Sequence, residues 1–233
     1  VSGVKATQQI YKADLKTGEI TPITAGRHNF TSFSMARGIL VAQKTTMSMA
    51  PELFTINLGN QEEAQITHIN KNIYDNIKMG EVKQRWVKTT DGKDMLVWVV
   101  LPPNFDETKK YPALLYCQGG PQSTIDQFWS YRWNLQIMAA NGYVVVAPNR
   151  RGVPSFGQEW NAQISGDYSG QNIKDYLSAI DDVKKEPWVD EERLGAVGAS
   201  YGGYSVFYLA GVHQKRFKAF IAHNGMFNLE SFY

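Results

Sequence analysis

One pentapeptide constrains the fold of this 233-residue chain more than any other feature. The segment Gly198-Ala199-Ser200-Tyr201-Gly202 has the form G-x-S-x-G and follows a short apolar run, Leu194–Val197. An apolar segment with helical character, Tyr204–Val212, comes soon after it. A serine between a buried strand and a helix stands on a sharp turn that exposes its hydroxyl, and flanking glycines leave room for that turn. The pattern predicts that Ser200 is a nucleophile. The alternative is a glycine-rich loop with an idle serine.

Strands alternate with helices on both sides of this serine. The predicted strands are Met95–Val100, Ala113–Cys117, Tyr143–Ala147, Leu194–Val197 and Phe217–Ala222. The predicted helices are Trp129–Asn141, Asn172–Glu186 and Tyr204–Val212. Such alternation indicates a mostly parallel α/β sheet, and the continuous apolar run Tyr143–Ala147 is typical of a strand buried on both faces.

The N-terminal residues have a different pattern, which consists of short predicted strands and an internal repeat. Ile10–Leu15 aligns with Leu53–Leu58, whose first residue comes 43 residues later, and Ile20–Thr24 aligns loosely with Ala64–His68. Gly38–Ala42 supplies another strand between the copies. A period of roughly 40 to 50 residues is typical of β-propeller blades. Two hairpins that are alike by chance explain the pattern equally well. Two blades are too few to close a propeller, so the blade interpretation also predicts earlier blades.

A serine nucleophile needs hydrogen-bond donors for the oxyanion that forms on the carbonyl under attack. One donor in sites of this kind is the N–H of the residue after the serine, which is Tyr201. The other comes from a loop that follows an earlier strand, and Gln118-Gly119-Gly120-Pro121 occupies that place. The alternative for this loop is a plain turn, since Gly-Gly-Pro is common in turns.

The base and the acid of a catalytic triad are harder to place. After Ser200 the chain contains no Asp, one Glu (Glu230) and two histidines, His213 and His223. Neither histidine follows a loop long enough to return over the serine. We expect His213 to end a helix and His223 to end a strand. The triad acid and histidine are therefore expected beyond Tyr233, in a longer gene product.

Charge and cysteine content argue against several other functions. Lys and Arg number 24 and Asp and Glu 22, so the net charge of +2 gives no reason to expect a nucleic-acid surface. The single Cys117 excludes an internal disulfide and a multi-cysteine metal site. No metal or cofactor is expected, since no phosphate loop or dinucleotide fingerprint is present. The longest apolar run, Met95–Leu101, is too short to span a membrane.

Four parts of the sequence together resemble the prolyl oligopeptidase family of serine peptidases. The nucleophile segment Gly198–Tyr204 (G-A-S-Y-G-G-Y) carries the resemblance most clearly. It extends to Gly119–Pro121, to Asn149–Gly152 and to Phe217–Ala222. An internal ion-pair network is the favoured role for the arginines of Asn149–Gly152, with binding of an anion as the alternative.

The resemblance implies a fold and a domain order. Residues 76–233 would form the N-terminal half of an α/β-hydrolase catalytic domain, ending after the nucleophile region. Residues 1–75 would form the C-terminal part, about two blades, of a β-propeller that caps this domain. The family also implies a periplasmic or secreted location, and it allows a homodimer.

The function that the resemblance implies is that of a serine exopeptidase. It would release dipeptides from the free N-terminus of oligopeptides through an acyl-enzyme on Ser200, with Ala or a hydrophobic residue at the cleavage position. Transferred by position, the N–H groups of Tyr201 and Gly120 would form the oxyanion hole. Three apolar residues become candidates for the pocket of the residue before the scissile bond: Met226, Leu229 and Phe232. They are equally well explained as core residues.

Other functions stay open from the sequence. Within the family, an acylaminoacyl peptidase or an oligopeptidase is the first alternative. An esterase, or a non-catalytic scaffold with a hydrolase fold, is the second. Members of the family often carry Tyr or His where this chain has Gln118, so the role of the Gln118 amide is left open.

Overall fold

The chain divides into two compact units after Lys78, whereas the predicted boundary lies after residue 75. A computed structural model of the chain describes residues 1–232, with side chains as far as Ser231. The first unit comprises Val1–Lys78 together with the segment Asp126–Asn134. The second comprises Met79–Ile125 and the residues from Leu135 onward. No sequence pattern indicated that Asp126–Asn134 folds with the N-terminal residues.

The first unit consists of short strands. Its elements are β1 (Ser2–Val4), β2 (Thr7–Gln9), β3 (Tyr11–Ala13), β4 (Ile20–Pro22), β5 (Asn29–Ala36), β6 (Ile39–Thr46), β7 (Met49–Asn57), β8 (Glu63–Gln65) and α1 (Lys71–Tyr74). Six of the strands form one sheet in the order β1-β2-β5-β6-β7-β8, and β3 pairs with β4. Strands β5 to β8 form a four-stranded antiparallel meander. Its inward side chains, with Phe30, Leu40 and Ile56 among them, form a small apolar core.

The two copies of the repeat form the same hairpin. Strand β3 pairs with β4, and β7 pairs with β8, both antiparallel. The Asp14 N–H donates to the Glu19 carbonyl at 2.9 Å, and the Asn57 N–H donates to the Glu62 carbonyl at 3.0 Å. The members of each equivalent pair stand 43 residues apart. The hydrogen bonds of the two hairpins therefore repeat at one constant offset.

Side-chain hydrogen bonds repeat at the same offset. Thr24 Oγ1 accepts the Ile10 N–H at 2.9 Å, and Thr67 Oγ1 accepts the Leu53 N–H at 2.8 Å. The sequence alignment of the second strand was wrong by one residue, because it matched Ile20 with Ala64, 44 positions apart. The structure keeps the offset of 43, since a one-residue slip would turn each threonine away from the N–H that it accepts.

The second unit alternates longer strands with helices. Its elements are β9 (Val82–Lys88), β10 (Asp94–Val100), β11 (Tyr111–Cys117), α2 (Leu135–Ala140), β12 (Val144–Pro148), α3 (Gln158–Ala162), α4 (Gln171–Val183), β13 (Val189–Ala199), α5 (Tyr201–Val212), β14 (Ala219–His223) and α6 (Leu229–Phe232). The sheet order is β14-β13-β11-β12-β10-β9. The three pairings from β14 to β12 are parallel, and the two that add β10 and β9 are antiparallel.

Apolar strands explain why this sheet lies inside the unit. The run Tyr143–Ala147 was predicted to be a strand covered on both faces. All five residues of β12 are buried, whereas Tyr143 precedes the strand and is 38% exposed. Helix α4 packs its apolar side, including Ile173, Tyr176 and Ile180, onto the core of the sheet. The carboxyl ends of the parallel strands β11, β12 and β13 therefore meet at one edge of the sheet, where loops can bring side chains together.

Three helix predictions need correction. The helix predicted over Asn172–Glu186 ends at Val183. The segment Trp129–Asn141 was expected to be helical, but α2 begins only at Leu135. Ser130 Oγ accepts the N–H groups of Arg132 at 3.2 Å and Trp133 at 2.9 Å, so a side-chain turn replaces the first helical turn. Helix α5 begins at Tyr201, three residues earlier than predicted, directly after Ser200.

Candidate active site

Ser200 stands at the junction of β13 and α5 in a strained conformation. Its φ is 58° and its ψ is −123°, a combination that few residues other than glycine adopt. The Ser200 N–H donates to the His223 carbonyl at the end of β14, at 3.1 Å. The Ser200 carbonyl accepts the Tyr204 N–H at 3.0 Å. With its backbone fixed on both sides and its side chain exposed, this serine has the placement that the motif predicts.

The flanking glycines are required by close packing of backbone against backbone. A Cβ at Gly202 would overlap the carbonyl oxygen of Cys117 at the end of β11. A Cβ at Gly198 would come within 2.7 Å of the same oxygen. The turn therefore fits tightly against β11. Burial raises the pKa of the Cys117 thiol far above its usual range, so this cysteine is a core residue.

The glycine loop after β11 lies beside the serine. A Cβ at Gly119 would meet the Ala199 carbonyl oxygen at 3.0 Å and the Ser200 Cβ at 3.6 Å. The next residue, Gly120, has a φ of +123°, which glycine adopts without strain. On the other side, Tyr201 is the first residue of α5, and the first N–H groups of a helix have no partner within the helix.

Gln118 begins this loop, and its side chain turns toward the loop itself. Its Nε2 donates to Ser123 Oγ at 3.2 Å, so the amide bridges the two ends of the Gly-Gly-Pro turn. The Gln118 carbonyl accepts the Tyr176 hydroxyl at 3.4 Å. In this arrangement Gln118 stabilises the loop.

The side chain of Tyr201 anchors the start of α5. Its ring is fully buried, and its hydroxyl donates to the Tyr168 carbonyl at 2.7 Å and contacts the Asn172 amide at the start of α4. Burial raises the pKa of the Tyr201 phenol well above its ordinary value, so the hydroxyl stays protonated as a donor. These contacts of the hydroxyl fix the position of Tyr201, whose N–H is the first of α5.

The two adjacent arginines have different partners. Arg151 binds Asp175 through Nε at 2.8 Å and Asp91 through Nη2 at 2.8 Å, which is the internal ion-pair network that the sequence favoured. Hydrogen bonds from Arg151 hold the pKa of Asp91 well below its usual range. Among the described residues Arg150 has no such partner, and its Nη2 donates to the Pro121 carbonyl of the glycine loop at 2.9 Å. The sequence pattern did not indicate this contact.

No local sequence pattern indicates that contact. Arg150 and Arg151 follow β12 rather than lie in it, and Pro121 is 29 residues away from Arg150 in sequence.

The three residues proposed for a substrate pocket follow β14. A Cβ at Gly203 in α5 would approach the Gly225 Cα to 2.6 Å, so this segment passes close to the first turn of the helix. Met226 is half-buried and Leu229 is 39% exposed, which makes them less buried than typical core residues. The side chain of Phe232 lies outside the described residues. The assignment of all three to a pocket stays a prediction.

The residues that could have served as base or acid lie at the ends of elements. His213 ends α5, and its Nδ1 accepts the Phe217 N–H at 3.1 Å. His223 ends β14 and holds the Ser200 N–H through its carbonyl oxygen. Glu230 lies in α6 and is exposed. The expectation that the triad partners lie beyond Tyr233 stays a prediction.

The described residues, 1–232, provide neither a cluster of metal ligands nor a membrane-spanning helix. No group of three or more His, Cys, Asp or Glu side chains in this part of the chain is arranged to hold a metal ion. Among the same residues, no helix is both long and apolar enough to cross a bilayer.

Sequence comparison places this geometry among known peptidases. Residues 129–233 match the model of the prolyl oligopeptidase family. Dipeptidyl-peptidase 5 of Porphyromonas gingivalis is 56% identical over 229 residues, which cover 98% of this chain and 34% of that protein. Dipeptidyl-peptidase 5 of Porphyromonas endodontalis is 51% identical over 233 residues and is likewise covered to 34%. The chain thus spans about a third of the length of these relatives.

Solved structures give the same fold. An acylaminoacyl peptidase of Pyrococcus horikoshii superimposes with a TM-score of 0.85 at 27% identity, covering 96% of this chain and 34% of the other. Dipeptidyl peptidase 4 of Porphyromonas gingivalis superimposes with a TM-score of 0.76 at 22% identity over 93% of this chain and 31% of the other, which shows a shared fold. With the G-x-S-x-G turn in place, these matches establish that the chain belongs to the prolyl oligopeptidase family of serine peptidases.

Proposed function

We propose that this chain carries the nucleophile of a serine peptidase that releases dipeptides from the free N-terminus of oligopeptides. The strained turn that exposes Ser200 beside Gly119 is the observation that supports this most strongly. The 51–56% identity to two bacterial dipeptidyl-peptidases 5 supports the dipeptide product. A residue of Ala or hydrophobic type is proposed at the cleavage position, with Met226, Leu229 and Phe232 as its pocket.

The proposed reaction is acyl transfer through a covalent intermediate. Ser200 Oγ attacks the carbonyl carbon of the scissile peptide bond, and its proton passes to a histidine expected beyond Tyr233. The N–H groups of Tyr201 and Gly120 stabilise the negative charge on the former carbonyl oxygen. The C–N bond then breaks, the amine takes the proton from the histidine, and the dipeptide stays on Ser200 as an ester. Water hydrolyses this ester and regenerates the serine.

We also propose that residues 1–75 are about two blades of a β-propeller. The four-stranded meander β5–β8 has the strand number of one blade. The hydrogen bonds repeated at an offset of 43 residues support a repeat architecture, since propeller blades recur at about this period.

A second candidate function is that of an acylaminoacyl peptidase, which would accept a blocked N-terminus. It is favoured by the acylaminoacyl peptidase structures, which superimpose with TM-scores of 0.83 to 0.85 at 27–28% identity. The two candidates share the same nucleophile and oxyanion donors, so they differ only in how the N-terminal group of the substrate is recognised.

A pair of chromogenic dipeptides separates the two candidates in the full-length gene product. One carries a free amino group and Ala at the cleavage position, and the other is the same compound with an acetylated amino group. We expect fast hydrolysis of the free form only, and loss of that activity in Ser200→Ala. Ser165→Ala, at an exposed serine outside the site, is the matched control and should keep full activity.

The other outcomes identify the alternatives. Hydrolysis of the acetylated compound would indicate an acylaminoacyl peptidase or an oligopeptidase. Hydrolysis of neither compound would favour an esterase or a non-catalytic scaffold. Activity that persists in Ser200→Ala would contradict the proposed nucleophile.

A further inference from the structure

Arg150 is a buried cation without a buried anion beside it. Its side chain is fully inaccessible to solvent, and no carboxylate of the described residues forms an ion pair with it. The guanidinium donates only to neutral oxygens: Nη2 to the Pro121 carbonyl at 2.9 Å, Nη1 to the Arg151 carbonyl at 2.8 Å and Nε to the Tyr176 hydroxyl at 3.2 Å. Burying an unpaired charge costs more free energy than burying an apolar side chain of similar size. A purely structural role therefore explains poorly why an arginine occupies this position.

The guanidinium also lies over two aromatic rings. Its central carbon is 4.9 Å from the ring centroid of Tyr201 and 5.8 Å from that of Tyr176. At these distances a guanidinium is attracted to the negative face of each ring. The contact with the Tyr201 ring is the more important one for the site, because the N–H of Tyr201 is a proposed donor to the oxyanion.

Arg150 therefore touches both arms of the proposed oxyanion hole. Pro121 directly follows Gly120, so the hydrogen bond to the Pro121 carbonyl holds the loop that supplies one donor. The ring contact holds Tyr201, which supplies the other donor. One rigid, planar group joins two segments that are 80 residues apart in sequence, and a planar guanidinium can bind a carbonyl at its edge and a ring on its face.

Neighbouring residues leave room for this arrangement. A Cβ at Gly152 would come within 2.8 Å of the Arg150 Nη1, so a larger residue there would displace the guanidinium. Asp175, the nearest buried carboxylate on α4, accepts both the N–H and the Nε of Arg151. Because Asp175 is used by Arg151, Arg150 stays available for the Pro121 carbonyl and the Tyr201 ring.

We propose that Arg150 is a positioning residue that fixes the Gly120 and Tyr201 donors at the correct separation for the oxyanion. This role rests on the proposed function of Ser200. The Tyr176 hydroxyl contributes to the same positioning. It accepts the Arg150 Nε–H and donates to the Gln118 carbonyl, 3.4 Å away at the start of the glycine loop. Loss of Arg150 would leave the serine in place and loosen only the donors.

The test compares Arg150→Met with wild type in the full-length gene product. Steady-state kinetics with the free dipeptide substrate give kcat and KM. The end point of labelling by a dipeptide diphenyl phosphonate counts functional Ser200 hydroxyls. We expect kcat to fall about 10- to 100-fold, because misplacement by about an ångström costs this much, while KM changes by less than about threefold. The labelling end point should stay near one per chain.

A matched control separates positioning from general loss of structure. Arg216→Met removes an arginine that binds Asp181 through Nε at 2.9 Å, at the far end of α5 from Ser200. It should lower the melting temperature and leave kcat unchanged. The proposal is overturned if Arg150→Met has the kcat of the Arg216→Met control. It is also overturned if the fall in kcat equals the fall in labelled sites, since that would mean misfolding.

Two milder variants keep the test decisive if Arg150→Met does not fold. Arg150→Lys keeps the charge but lacks the planar fork, and Tyr176→Phe removes the acceptor of Arg150 Nε together with the donor to the Gln118 carbonyl. Both should lower kcat, by about threefold or more, and wild-type kcat in both would refute the role. Absence of labelling of Ser200 in wild type would refute the proposed function itself. A labelled wild type with unaffected variants would refute only the role of Arg150.

Discussion

At the scale of single residues, the glycines around Ser200 leave no space for a side chain. In Gly202→Ala the new methyl group would overlap the Cys117 carbonyl oxygen at the end of β11, so α5 or β11 would have to shift. We expect a loss of unfolding free energy of about 3 kcal/mol, measured by urea denaturation. Gly211→Ala on the same helix is the control, because no atom lies within 4 Å of the new Cβ.

The control substitution Gly211→Ala should raise the free energy of unfolding rather than lower it. Gly211 lies in α5 with space around it, so alanine there should stabilise the protein by up to about 1 kcal/mol through helix propensity. Equal effects of Gly202→Ala and Gly211→Ala would contradict the close approach of the turn to β11.

A buried histidine makes the first unit sensitive to acid. His28 is 7% exposed, and burial lowers its pKa from 6.5 to about 4. Between these values the unfolded chain binds a proton that the folded chain does not, so stability falls as the pH drops from about 6.5 to about 4 and levels off below that. His28→Phe keeps a ring packed near Phe30 and cannot be protonated.

The comparison of unfolding free energies at pH 7.5 and pH 4.5 tests this explanation. Wild type should lose on the order of 2 kcal/mol more than His28→Phe between the two pH values. If both proteins lose the same amount, His28 is not responsible for the acid sensitivity.

At the scale of elements, the repeated hairpin predicts unequal costs for two equivalent threonines. Thr24 Oγ1 donates to the Gln9 amide at 2.8 Å, and Thr67 Oγ1 donates to the Glu52 carboxylate. Gln9 and Glu52 are themselves equivalent, 43 residues apart, and both are buried. Removing a donor from a buried carboxylate costs more than removing one from an amide, because the charge loses more solvation.

We therefore expect Thr67→Val to destabilise by about 2 kcal/mol and Thr24→Val by about 1 kcal/mol in urea denaturation. Glu52→Gln makes the second hairpin resemble the first, so in that background the cost of Thr67→Val should fall to the value for Thr24→Val. A cost that is unchanged by Glu52→Gln would show that the charge is not the cause.

The elements also show what a sequence can and cannot specify. The strand β12 and the helix α4 were predictable because their apolar residues follow strand and helix spacing. The start of α2 was not, because a single hydroxyl on Ser130 redirects the backbone for several residues. The register of the second hairpin depends on the side of the strand on which Thr24 and Thr67 lie. A loose alignment of apolar residues does not show on which side these threonines lie.

The same limit applies at the candidate site. The sequence located Ser200, Tyr201 and the glycine loop because strand, turn and helix signals are local. It did not find Arg150, whose partners Pro121 and Tyr176 are 29 and 26 residues away in sequence. A contact of this kind is set by how β11, β12 and α4 pack, and no local pattern encodes that.

At the scale of the whole molecule, we expect the histidine that activates Ser200 to lie beyond Tyr233. The 12 residues of α5 separate Ser200 from His213. At a rise of about 1.5 Å per residue that distance is roughly 20 Å, too far for proton transfer. His223 holds the serine through its main-chain carbonyl, which any residue can provide.

We therefore expect His213→Gln and His223→Gln to keep kcat/KM within about threefold of wild type in the full-length gene product, against near-complete loss in Ser200→Ala. The measurement is hydrolysis of the free dipeptide substrate, with circular dichroism to confirm folding of each variant. A histidine that served as the base would lower kcat by roughly 10⁴-fold or more when replaced. Such a loss in either variant would place the base within this chain, and its absence in both leaves the histidine to be found in the rest of the gene product.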